Sequence, residues 1–152
     1  MIDNNLIYAV IAFSTFLFLR VLFRKIVISF LTKLTVKTKT DFDDKLVEAI
    51  KKPIDFLIII IGISIAKDFL SFSSSFDTIA TNLIRSAFAF SIFWIIFNTL
   101  TPLSGIIHKF TSKFGKELSE DIANFIVKTL KFLVIAIGFV SILQEWGYNI
   151  SG

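Results

Sequence analysis

The chain has 152 residues, of which 55% are apolar and 18% charged, with a formal net charge of +4 and a mean hydropathy of +0.79. A domain of this size leaves much of its surface in water and ordinarily carries about 25% charge, so the composition excludes a soluble globular fold, and a disordered chain equally. Zero cysteines and a single histidine, His108, exclude a disulfide scaffold, thiol catalysis and a histidine-built metal site, which leaves an integral membrane protein.

Taken in order, four apolar stretches punctuate the chain: Leu6–Leu22, Pro53–Leu70, Leu83–Leu103 and Phe125–Leu143. A spanning helix needs about 20 apolar residues, and each stretch approaches that length. Runs such as Leu57–Ile61 are apolar on every face, and none alternates with period two, so helices are expected and a β-barrel is not. The expected fold is all-α: four transmembrane helices in two hairpins, plus a short cytoplasmic amphipathic helix. Its parts are a first transmembrane helix with its cytoplasmic extension (1–34), an amphipathic linker helix (35–52), and the second and third transmembrane helices with their outer loop (53–103). A cytoplasmic loop (104–121) and the fourth transmembrane helix with an outer turn (122–152) complete it.

Charge sets the expected orientation. Basic residues crowd the segment from Arg20 to Lys52 and again that from Lys109 to Lys131, whereas around the second-to-third connection there are only Lys67 and Arg85. The positive-inside rule puts the two basic segments in the cytoplasm and both ends of the chain outside, which requires an even number of spans. The first helix lacks a basic leader and is followed by Arg24-Lys25, so it reads as an uncleaved anchor.

Individual residues then stand out. Arg20, Arg24 and Lys25 lie where guanidinium and ammonium groups snorkel to lipid phosphate, and Lys128 and Lys131 share one face of the fourth helix at the same level. All five are candidate lipid-headgroup and tension-sensing residues. Asp55 and Asn98 are candidate intramembrane polar contacts: Asp55 as a partner for Lys128 or Lys131, Asn98 as a hydrogen-bonding group toward a neighbouring helix. The acidic residues Asp41, Asp43, Asp44 and Glu48 lack the glycine and spacing of a calcium loop and fit the start of the amphipathic helix. His108 falls in the expected cytoplasmic loop. No catalytic constellation, phosphate loop, metal site or cofactor site is read, and the positive charge is explained by topology without nucleic acid. No tandem repeat or low-complexity tract is evident.

Two segments carry a resemblance. Thr38-Lys39-Thr40-Asp41-Phe42-Asp43-Asp44-Lys45-Leu46, leading through Lys52-Pro53 into an apolar helix, resembles the linker before a membrane helix in the larger bacterial mechanosensitive channels of small conductance. The run from Asp121 to Leu143, followed by Trp146-Gly147-Tyr148-Asn149-Ile150-Ser151-Gly152, is similar to the last helix before the pore in that family and the turn that follows it. The resemblance implies a tension-sensing transmembrane region of an osmoprotective ion channel in the bacterial inner membrane. It implies a homoheptamer with lipids as partners and ions passing through the full-length channel. The Gly/Ala-rich pore helix and the soluble domains of the family have no counterpart here, so the chain is expected to be the sensor region cut before its pore. The competing expectation is a complete small membrane protein, such as an accessory subunit, a holin-like lesion former or a scaffold.

Overall fold

A computed structural model describes residues 4–35, 41–70, 72–111 and 116–150. They form four helices: α1 (Asn4–Thr35), α2 (Asp41–Asp68), α3 (Ser74–Thr111) and α4 (Lys116–Glu145). At about 1.5 Å per residue these rods run from roughly 40 to 60 Å, longer than a hydrocarbon core of about 30 Å.

The helices pack in chain order: α1 on α2, α2 on α3, α3 on α4. Among the described residues, the backbones of non-consecutive helices stay apart. The arrangement is thus a single row of antiparallel helices with three seams. It does not reduce to two separate hairpins, because α2 and α3 pack as the flanking pairs do.

A row has little interior. The buried apolar residues are few, among them Ala9, Val47, Ile58, Ile60, Ala123 and Val127, and they sit along the seams. Large side chains face outward instead, with Phe18 82% exposed, Phe125 70% and Phe132 69%. Helical hydrogen bonding satisfies the backbone internally, so lipid can cover these faces without cost to it. Three segments are long and apolar enough to cross a membrane: Asn4–Val27 of α1, Ser74–Gly105 of α3 and Asp121–Glu145 of α4. In α2 only the eleven residues 56–66 separate Asp55 from Lys67, so this helix falls short by composition.

Helix ends and breaks have local causes. Pro53 lies inside α2 without ending it and is fully buried, so the amphipathic segment and the apolar stretch form one continuous rod. Pro102 is likewise internal to α3, which continues to Thr111. Much of the segment 104–121, expected as a loop, is therefore helical, and the backbone of His108 belongs to α3; the side chain of His108 lies outside the described residues. α4 ends on Gly147, at φ +84°, where Tyr148 N–H donates to the Leu143 carbonyl (3.2 Å) and Gly147 N–H to that of Gln144 (3.0 Å). This is a Schellman cap, whose left-handed residue favours glycine.

Candidate membrane-facing site

The antiparallel row brings particular charges to two levels. One level holds the C-terminal end of α2, the N-terminal end of α3 and the C-terminal end of α4. There Lys67 Nζ pairs with Asp77 (2.8 Å) and donates to Thr81 Oγ1 (2.8 Å), tying α2 to α3. Arg85 approaches Glu145 at 3.9 Å and Trp146 Nε1 donates to Ser86 Oγ at 3.0 Å, tying α4 to α3. Asp77 also sits in the first turn of α3, where the helix dipole favours a carboxylate.

The opposite level holds most of the residues singled out in the sequence. Asp55 is largely buried, and its Oδ2 forms ion pairs with both Arg24 (3.3 Å) and Arg20 (3.5 Å) of α1. The two arginines are four apart, so they present from one helix face. Both are partly exposed and together exceed the single carboxylate by one positive charge. The other carboxylate oxygen, Oδ1, is buried without a hydrogen-bond partner among the described residues. Lys25 on α1 and Lys128 on α4 are exposed. Lys131 lies 4.8 Å from the ring centroid of Phe97, a cation–π distance.

Asp55 is therefore the partner of the α1 arginines and not of Lys128 or Lys131. The reason is topological: α4 packs on α3, and the whole of α3 stands between it and α2. Asn98 Nδ2 donates to the carbonyl of Ala49 at 2.9 Å, a bond from α3 to α2. Nearby, outside the apolar stretches, Lys51 is hydrogen-bonded to Glu48 and holds that carboxyl below its ordinary range. The side chains of Asp41, Asp43 and Asp44 lie outside the described residues.

Between the two levels the seams are apolar. Phe56 on α2 meets Phe90 and Trp94 on α3, each at 5.9 Å between ring centroids. Phe16 of α1 seats over Gly62 of α2, and Phe93 of α3 over Gly138 of α4: a Cβ built on either glycine would come within 2.8 Å and 3.0 Å of the opposing phenylalanine. An apolar cleft of about 330 Å³ opens between α3 and α4, lined by Phe90, Phe97, Ile135 and Phe139 among others. Sequence reading missed these glycine seats and the ties at the first level; an isolated glycine in an apolar run was the available signal for the seats.

The fold and its charge levels define a class: a multi-pass helical membrane protein, with few buried side chains among the described residues. Comparison with known proteins shows what the chain is similar to. The chain is 34% identical over 135 residues to an uncharacterized MscS family protein of Aquifex aeolicus, covering 88% of this chain and 36% of the relative. It is 32% identical over 154 residues to the small-conductance mechanosensitive channel MscMJ of Methanocaldococcus jannaschii (99% and 43%), and 28% identical over 137 residues to the MscS family protein YhdY of Bacillus subtilis (90% and 37%). The chain is a homologue of MscS family proteins across most of its own length. It spans 36% to 43% of the length of these relatives. No family model matches the chain, and no solved structure matches it.

Proposed function

We propose that this chain is the membrane-tension-sensing region of an MscS-type mechanosensitive channel, non-enzymatic and without a pore of its own. The observation that carries the proposal is the single row of helices with lipid-facing surfaces, in a sequence homologous to MscS family proteins. Tension biases a two-state equilibrium only when the states differ in area or lipid contact, and a row exposes far more side-chain surface to lipid than a bundle.

In this reading all four helices span. The charges of α2 that shorten its apolar stretch are paired, Asp55 with two arginines and Lys67 with Asp77, which lowers the cost of carrying them into the membrane. α2 also follows α1 and α3 from Tyr8–Phe69 at one level to Asn98–Ala49 at the other. Both ends of this segment face the periplasm, and the level of Arg20, Arg24, Lys25, Lys128 and Lys131 lies at the cytoplasmic leaflet of the inner membrane. These five residues hold the sensor to anionic headgroups. The full-length protein is a homo-oligomer, a heptamer by family resemblance, that passes ions for osmotic protection.

The test is electrophysiological. The full-length protein in liposomes passes stretch-activated current, and the segment ending at Gly152 passes none. Current from the segment alone would overturn the assignment of a poreless sensor.

A further inference from the structure

The seams place together residues that the linear sequence keeps far apart, and the pairs recur. Residues 5–16 of α1 and 82–93 of α3 align without a gap and are identical at seven of twelve positions: Asn-Leu-Ile at 5–7 and 82–84, Ala-Phe-Ser at 12–14 and 89–91, and Phe16 with Phe93. Residues 56–62 of α2 and 132–138 of α4 are identical at five of seven: Phe-Leu, two isoleucines, and Gly62 with Gly138. The spacing is 77 on the first pair of helices and 76 on the second, so the one-residue difference falls in the connection within the hairpin.

The contacts obey the same spacing. Phe16 seats on Gly62; their counterparts Phe93 and Gly138 form the same seat. Tyr8 meets Phe69 at 6.5 Å, and their counterparts Arg85 and Glu145 meet at 3.9 Å. Arg20 meets Asp55 at 3.5 Å, and their counterparts Phe97 and Lys131 meet at 4.8 Å. Val47 and its counterpart Ala123 are both buried. Three rungs at three levels therefore coincide in register, which two unrelated hairpins have no reason to do. Parallel internal repeats of this kind are known as a way of building membrane folds.

We propose that the chain is two copies of one two-helix unit, α1–α2 and α3–α4, and that the inner rung is one clasp in two chemical forms. In the first unit it is a carboxylate held by two guanidinium groups; in the second, a lysine held on an aromatic face. Arg24 has Thr101 as its counterpart, so the second clasp also lacks the additional cation. The α3–α4 hairpin is accordingly the one that opens more readily at the level of Lys131. The inference stands on the fold alone and goes beyond the channel reading.

The test exchanges the clasps in the full chain and reads hairpin closure by cross-linking, which the absence of native cysteine makes clean. Phe93→Cys with Gly138→Cys bridges the second seat, where a Cβ on Gly138 lies 3.2 Å from that of Phe93 and a disulfide of about 3.8 Å between Cβ atoms forms once the helices ease apart by a few tenths of an ångström. In that background Lys131→Asp lowers the cross-linking yield in membranes several-fold, and adding Phe97→Arg restores it. The reciprocal arm uses Phe16→Cys with Gly62→Cys. There Asp55→Lys lowers the yield, and adding Arg20→Phe with Arg24→Thr restores it. A double exchange that cross-links as poorly as the single substitution in both arms overturns the proposal, as do single substitutions without effect. Absence of stretch-activated current from the unsubstituted full-length protein would count against the channel reading and leave the duplication standing.

Discussion

The glycine seats make a quantitative prediction that separates two chemically identical substitutions. In Gly62→Ala the new methyl group lies 2.8 Å from Phe16 Cβ, against an optimum of about 3.5–4.0 Å between carbons. Both atoms are fixed directly to backbone, so no rotamer change separates them, and α1 must back away from α2 by about 1 Å at that point. Overpacking of this kind costs about 1–3 kcal/mol, whereas replacing a helical glycine by alanine returns at most about 1 kcal/mol. The net expectation is a loss of about 1–2 kcal/mol. In Gly138→Ala the nearest atom is Phe93 Cγ at 3.0 Å, with Cβ at 3.2 Å. The required displacement is smaller and partly absorbed by turning the ring, so the net effect is close to zero. Denaturation of both variants in mixed detergent micelles, followed by circular dichroism, measures the difference. A Gly62→Ala chain as stable as the wild type, or less affected than Gly138→Ala, would refute the claim that the seats are set by backbone approach.

Two further substitutions test the polar ties. Asp55→Asn keeps the shape but leaves Arg20 and Arg24 without a counter-charge; because both guanidinium groups are partly exposed, the loss is nearer about 1 kcal/mol than the 3–5 kcal/mol of a fully buried pair. A double-mutant cycle with Arg24→Gln reads it, and a coupling indistinguishable from zero would dismiss the pair. Asn98→Leu removes the bond to the Ala49 carbonyl and costs about 0.5–1 kcal/mol in the same assay, as interhelical bonds in membranes do; no change would mean the bond contributes nothing beyond packing.

Much of the fold was legible because lipid imposes simple rules. Continuous apolar runs gave helices. Helix ends were less legible. Pro53 reads as a boundary, yet it is absorbed inside α2, since a proline removes one hydrogen bond and the helix retains the rest on either side. The partner of Asp55 was misread because charge and depth alone do not say which helices are neighbours. Lys131 lies at a suitable depth but on a helix whose backbone does not approach α2. The duplication was hidden for a related reason: its identities are scattered through apolar runs, where leucine and isoleucine matches carry little weight. The pairing of Phe16 with Gly62 and of Phe93 with Gly138 singles out the positions that matter.

Equivalent residues have unequal surroundings, and the inequality follows from the row. Ser91 is fully buried, and its hydroxyl donates to the Ala87 carbonyl one turn back; Ser14, at the matching place in α1, is exposed. α3 has a helix on each side, whereas α1 has α2 alone. The position of α1 therefore depends on a single seam, made of the Tyr8–Phe69 contact, the Phe16 seat on Gly62 and the two arginines on Asp55. α3 draws on two seams, with the Lys67–Asp77 pair and the Asn98 bond added to its ties with α4. Local opening free energies follow the density of such contacts, so α1, held by one seam, is docked less firmly than α3, held by two.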